Sequence, residues 1–141
     1  MRLFLLLLAV LSSGHAHAQT AFLEKREFSA KSGTVRVKMA VSHTRKTAAE
    51  LTVRLKGPGK DESTPGAVLS QDVVIVPSKF MIPPNKVRKL IISFRPGIAT
   101  RTPYFACVLY QPPVERMERG PQGGGSMLLA TESCSRFWVT P

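Results

Sequence analysis

A chain of 141 residues, 43% apolar and 21% charged, supports one domain around one core and leaves no room for a two-domain enzyme. Twenty lysines and arginines against nine acidic residues give a formal charge of +11, which in a cytosolic protein would raise nucleic acid as a partner. The first residues exclude that compartment.

Arg2 is a short basic start, residues 3–11 are an unbroken apolar run, and Ala16, His17 and Ala18 form a small-x-small cleavage site. This is the pattern of a secretory signal peptide over 1–18, too short to span a bilayer. Cleavage would leave 123 residues, 19–141, and loss of Arg2 lowers the net charge to +10. No later stretch approaches a transmembrane segment. The anionic partners of an exported basic protein are lipids, cell-wall polymers or the carboxylates of other proteins, rather than nucleic acid. Cys107 and Cys134 lie in a compartment where disulfides persist, so one bridge is expected. Two cysteines and His43 are too few for a zinc site, and no metal or other cofactor is implied.

The dominant period is two. A first strand is expected around 22–28. In 35–41 (VRVKMAV) the odd positions are apolar, with Arg36 and Lys38 between them, and 51–56 (LTVRLK) repeats the pattern with Arg54 and Lys56. Both read as half-buried strands, joined by a polar connector, 42–47, that contains His43. Residues 57–66 (GPGKDESTPG) read as a turn-rich loop without a core-forming residue. Residues 73–76 form a short apolar strand stopped by Pro77 and continued by 79–82, and the proline suits an edge or sheet-switching strand. Strands over 87–94 and 104–110 follow, then a flexible polar loop, 115–126, and a last strand over 127–139. About seven strands without helical spacing predict an all-β fold, an antiparallel immunoglobulin-like sandwich.

Catalysis finds no support. His43 is the one histidine left after cleavage, no carboxylate pair frames a cleft, and neither G-x-S-x-G, H-E-x-x-H nor a P-loop occurs. Cys107 and Cys134 lie within strand patterns, which favours a structural role over a nucleophile. The expected protein is not an enzyme.

Residues 76–90 (VPSKFMIPPNKVRKL) resemble the first domain of the periplasmic pilus chaperones, closest to their divergent, alternate branch. Residues 104–113 (YFACVLYQPP) look like that family's F strand and 128–141 (LLATESCSRFWVTP) like its G strand. The resemblance implies a protein that binds pilus subunits, with an outer-membrane usher as a further partner. Its G strand would complete a subunit's unfinished sheet by strand addition. Met127, Leu129 and Thr131 would face the subunit, while Leu128 and Ala130 would belong to the protein's own core. It further implies a cationic anchor for the subunit's terminal carboxylate, with Arg136 on the G strand and Arg26 early in the chain. Lys25 and Lys31 compete for the early role. Cys107 and Cys134 would lie on adjacent strands, roughly opposed about a loop centred near Gly120, with two free thiols as the alternative. Members of that family usually carry a second sandwich after the position of Pro141, so the expectation is either a truncated product or a one-domain form without it. The competing expectation is an envelope or adhesive protein on which Arg36, Lys38, Arg54 and Lys56 share one cationic face for anionic lipid or polymer.

Overall fold

The computed structural model describes residues 19–44, 46–111 and 130–141, with the side chains of Gln19 and Thr20 outside that description. The expected signal peptide, the 115–126 loop and the sites Met127 and Leu129 lie outside the described residues.

Ten strands are described: β1 (Gln19–Leu23), β2 (Glu27–Ser29), β3 (Val35–His43), β4 (Ala49–Pro58), β5 (Pro65–Leu69), β6 (Val73–Val76), β7 (Lys79–Ile82), β8 (Lys86–Phe94), β9 (Thr102–Gln111) and β10 (Thr131–Thr140). They form an immunoglobulin-like sandwich. One layer is a four-stranded sheet in the order β1-β3-β8-β6, and the other runs β2-β10-β9-β4-β5 with β7 also on β4. All pairings are antiparallel except β2 with β10.

Alternation decides what lies between the layers. Val35, Val37, Met39 and Val41 of β3 and Leu90, Ile92 and Phe94 of β8 meet Leu51, Val53 and Leu55 of β4 and Tyr104, Ala106 and Val108 of β9. At one end, Phe137 is fully buried with its ring centroid 5.4 Å from Phe28, 6.1 Å from Phe94 and 6.0 Å from Tyr104. Such aromatic packing adds to the burial of the rings themselves.

The structure corrects the sequence reading in several places. The strand expected over 22–28 is two strands in different sheets. Leu23 and Phe28 both pack on the core, and an odd separation cannot keep both on one face of a continuous strand. The expected loop 57–66 instead begins within β4 and ends within β5, which its ladder to β4 and the partly buried Leu69 hold in place. Gly59 N–H donates to Thr64 O at 2.8 Å, and a Cβ at Gly66 would fall 2.3 Å from Pro58 O, so only glycine permits that approach. The chain switches sheets at Pro77, with β6 an edge of one layer and β7 in the other, as the proline suggested. His43 is not in a polar connector. It ends β3, is buried, and its Nε2–H donates to Thr47 O at 2.5 Å. Finally, Arg36 and Lys38 do not share a face with Arg54 and Lys56: β3 and β4 belong to different layers, so the two pairs point from opposite sides of the sandwich.

Candidate functional site

β10 is positioned by its second half. Phe137 and Val139 anchor it in the core, β2 flanks it from Trp138 to Thr140, and β9 runs along its other side from Thr131 to Val139. Before Trp138, no described strand pairs with the edge away from β9. Residues 131–137 are therefore the rim of the six-stranded sheet.

The ladder shows which main-chain groups face that rim. In an antiparallel pair each residue directs both its N–H and its C=O to one side, alternating along the strand. Trp138 N–H donates to Arg26 O and Ala30 N–H to Thr140 O, both at 2.8 Å, so the even residues face away from β9. Glu132, Cys134 and Arg136 share that parity and present their amides and carbonyls to the open edge. Such an edge is a template for another chain.

The side chains around it divide by face. Thr131 is exposed, is paired in register with the buried Tyr110, and has the parity of Phe137 and Val139. Ala130 is exposed and falls on the parity of the outer face, so its expected place in the protein's own core is not observed. The core side of β10 belongs to the odd positions because Phe137 and Val139 are odd.

On the outer face Cys107 and Cys134 are register partners with Cα atoms 4.0 Å apart, and they form a disulfide. The bridge ties the rim half of β10 to β9. Beside it Lys56 pairs with Glu132. Ligand-type atoms of Cys107, Glu132 and Cys134 lie within 4.8 Å of one another, but bridged sulfurs offer no thiolate to a metal or to nucleophilic chemistry.

Arg136 is exposed. Its guanidinium donates to Glu62 O at 3.1 Å and lies 5.5 Å from the centre of the Trp138 ring. Arg101 stacks on the same indole at 3.9 Å and pairs with Glu27. Arg26 is exposed, and its carbonyl accepts the Trp138 amide. Its main chain is thus directly beside the segment that carries Arg136. Lys25 sits over the Phe28 ring at 5.0 Å, while Lys31 follows β2 and is exposed. Sequence reasoning missed Arg101, whose position just before β9 places it near Trp138 because Pro103 is the register partner of Trp138. It also missed the turn that delivers the Glu62 carbonyl. The Asp61 carboxylate accepts from Ser63 N at 2.8 Å and Thr64 N at 3.1 Å. The Ser63 hydroxyl and then its amide hold that carboxyl below its ordinary value of 3.8.

No protein-family model and no curated protein matches the sequence. Solved structures do match the fold. The chain superimposes on the Salmonella enterica structure of the SafA pilin in complex with the SafB chaperone with a TM-score of 0.62 and 17% identity, covering 87% of this chain and 54% of that one. For the E. coli chaperone DraB the TM-score is 0.59 at 16% identity, with 87% and 55% covered. For the Pseudomonas aeruginosa CupB2 chaperone it is 0.56 at 16% identity, with 86% and 55% covered. The chain therefore spans little more than half the length of these chains and shares the fold of that part.

Proposed function

We propose that this chain is a periplasmic chaperone-like protein, not an enzyme, that binds and caps pilus subunits by adding its last strand to their unfinished sheet. Residues 1–18 would direct export and 19–141 would form the binding domain. The observation that carries this reading is the rim of β10: Glu132, Cys134 and Arg136 direct main-chain donors and acceptors to an edge that no described strand occupies. The likeness of fold to pilus chaperones supports the same reading. Main-chain hydrogen bonds would supply affinity and alternating side chains would supply register. Met127, Leu129 and Thr131 would fill the subunit's groove. Arg136 retains donors beyond the one given to Glu62 O, and a planar guanidinium can hold a carboxylate with two parallel bonds. Arg26 would be its partner, and an outer-membrane usher a later recipient of the complex.

The test is co-purification with a pilin-type subunit from a periplasmic extract. Leu129→Glu should abolish capture while the thermal midpoint stays unchanged, and Arg136→Ala should weaken it. Capture by both variants at the level of the unmodified protein would remove strand donation as the mode of binding.

A further inference from the structure

The outer face of the four-stranded sheet carries an independent signal. Alternation directs Phe22 of β1, Arg36, Lys38 and Ala40 of β3, Val87, Lys89 and Ile91 of β8, and Val74 and Val76 of β6 away from the core. The registers assemble them into cross-strand rows: Val76, Ile91 and Lys38 in one, and Lys89, Ala40 and Phe22 in the next. Phe22, Val74, Val76, Val87 and Ile91 are 57%, 60%, 63%, 63% and 43% exposed. A sheet face with this many accessible large apolar side chains marks an interaction surface. A groove of about 560 Å³ runs along it, lined by Phe22, Ala40 and Ile91, with Lys38 and Lys89 beside them and Glu24 at one end.

Charge selects the occupant. None of the ion pairs among the described residues involves Arg36, Lys38 or Lys89. On the opposite layer Lys56 is neutralised by Glu132 and Lys79 by Glu50. A second copy docked face to face would set like charges against one another. An anionic interface would instead satisfy the three cations while the apolar side chains between them left water, with the long lysine and arginine stems extending toward phosphates.

We propose that the outer face of the β1-β3-β8-β6 sheet is a docking surface for anionic phospholipid bilayers. Phe22, Val74, Val76 and Ile91 enter the headgroup boundary, and Arg36, Lys38 and Lys89 pair with lipid phosphates. The surface lies on the layer opposite to that of β10, so occupancy of one does not require the other.

The probe is co-sedimentation of the exported protein with vesicles of phosphatidylcholine, or of phosphatidylcholine mixed with phosphatidylglycerol. Binding should require phosphatidylglycerol and weaken with added salt. The double variant Lys38→Glu/Lys89→Glu should lose about tenfold or more in affinity. Val76→Ser/Ile91→Ser, which keeps every charge, should also weaken binding, and Arg54→Glu on the other layer should leave it unchanged. Equal binding to neutral vesicles would overturn the proposal. So would an equal loss from Arg54→Glu, which would make the attraction one of net charge alone. Full binding by Val76→Ser/Ile91→Ser would likewise overturn it, as would self-association or capture of a protein by this face in place of vesicle binding.

Discussion

Phe137 and Val139, in the second half of β10, are wholly buried, and from Trp138 onward β2 flanks the strand on the side away from β9, whereas Thr131 and Ser133, in the first half, are exposed and among the described strands pair with β9 alone. The two halves belong to one continuous strand and follow one alternation. What separates them is the length of β2, which ends the pairing on the outer side after three residues. The second half holds the strand in the sandwich, and in the first half no described strand takes up the main-chain groups that face away from β9. Anchor and proposed binding edge are thus divided along a single strand, so that each is open to perturbation by itself.

The largest effect should come from the anchored half. Phe137→Ala removes a ring packed against Phe28, Phe94 and Tyr104 and should cost about 3–5 kcal/mol of stability, measured by urea unfolding. A loss below about 1 kcal/mol would show that this end of the core is not the anchor. Next is the disulfide that ties the rim half of β10 to β9. Replacing Cys107 and Cys134 by alanine opens a loop with a sequence separation of 27 and should cost about 3 kcal/mol. Comparison of the oxidised protein with the double variant in the same unfolding experiment checks it.

Arg136→Ala belongs to the open half and should change stability by no more than about 0.5 kcal/mol, while reducing affinity for a pilin-type subunit. Arg136→Lys should retain more of that affinity than alanine, since it keeps the charge but not the fork. A matching loss of stability in both variants would make Arg136 a structural residue held by Glu62.

The smallest effect concerns the turn that reaches Arg136. Because the folded carboxyl of Asp61 is held below its ordinary value of 3.8, its contribution is present above that value and is lost as the pH falls through the lower folded value. An NMR titration should show the Ser63 and Thr64 amides shifting together in that acidic range, with no change between neutral pH and the ordinary carboxylate value. Asp61→Asn should flatten both curves.

Alternating segments such as β3 and β4 could be read from the sequence because burial of one face dictates their period, and β9, buried on both faces over 103–108, reads as a continuous apolar run bounded by prolines. β2 and β5 could not, because they are short and contribute little to the core: Phe28 is the one buried side chain of β2, and β5 is held mainly by its ladder to β4. The roughly opposed positions of Cys107 and Cys134 followed from the resemblance, which makes their strands neighbours, and agree with their spacing about a loop. The face to which Ala130 belongs was assigned wrongly, since parity in a strand can be settled only against a residue known to be inside, here Phe137. The stacking of Arg101 and Arg136 on Trp138 brings residues from two strands together and leaves no periodic trace. Nor does an unpaired strand edge, which is a property of main-chain pairing that side-chain patterns do not record.

Amide hydrogen exchange at Glu132, Cys134 and Arg136, followed in the free protein and after addition of a pilin-type subunit, tests the central claim most directly. The account predicts fast exchange at these three amides in the free protein and strong protection in the complex, with Trp138 protected in both. Protection of all four amides in the free protein, or a tight complex in which the three remain unprotected, would contradict it.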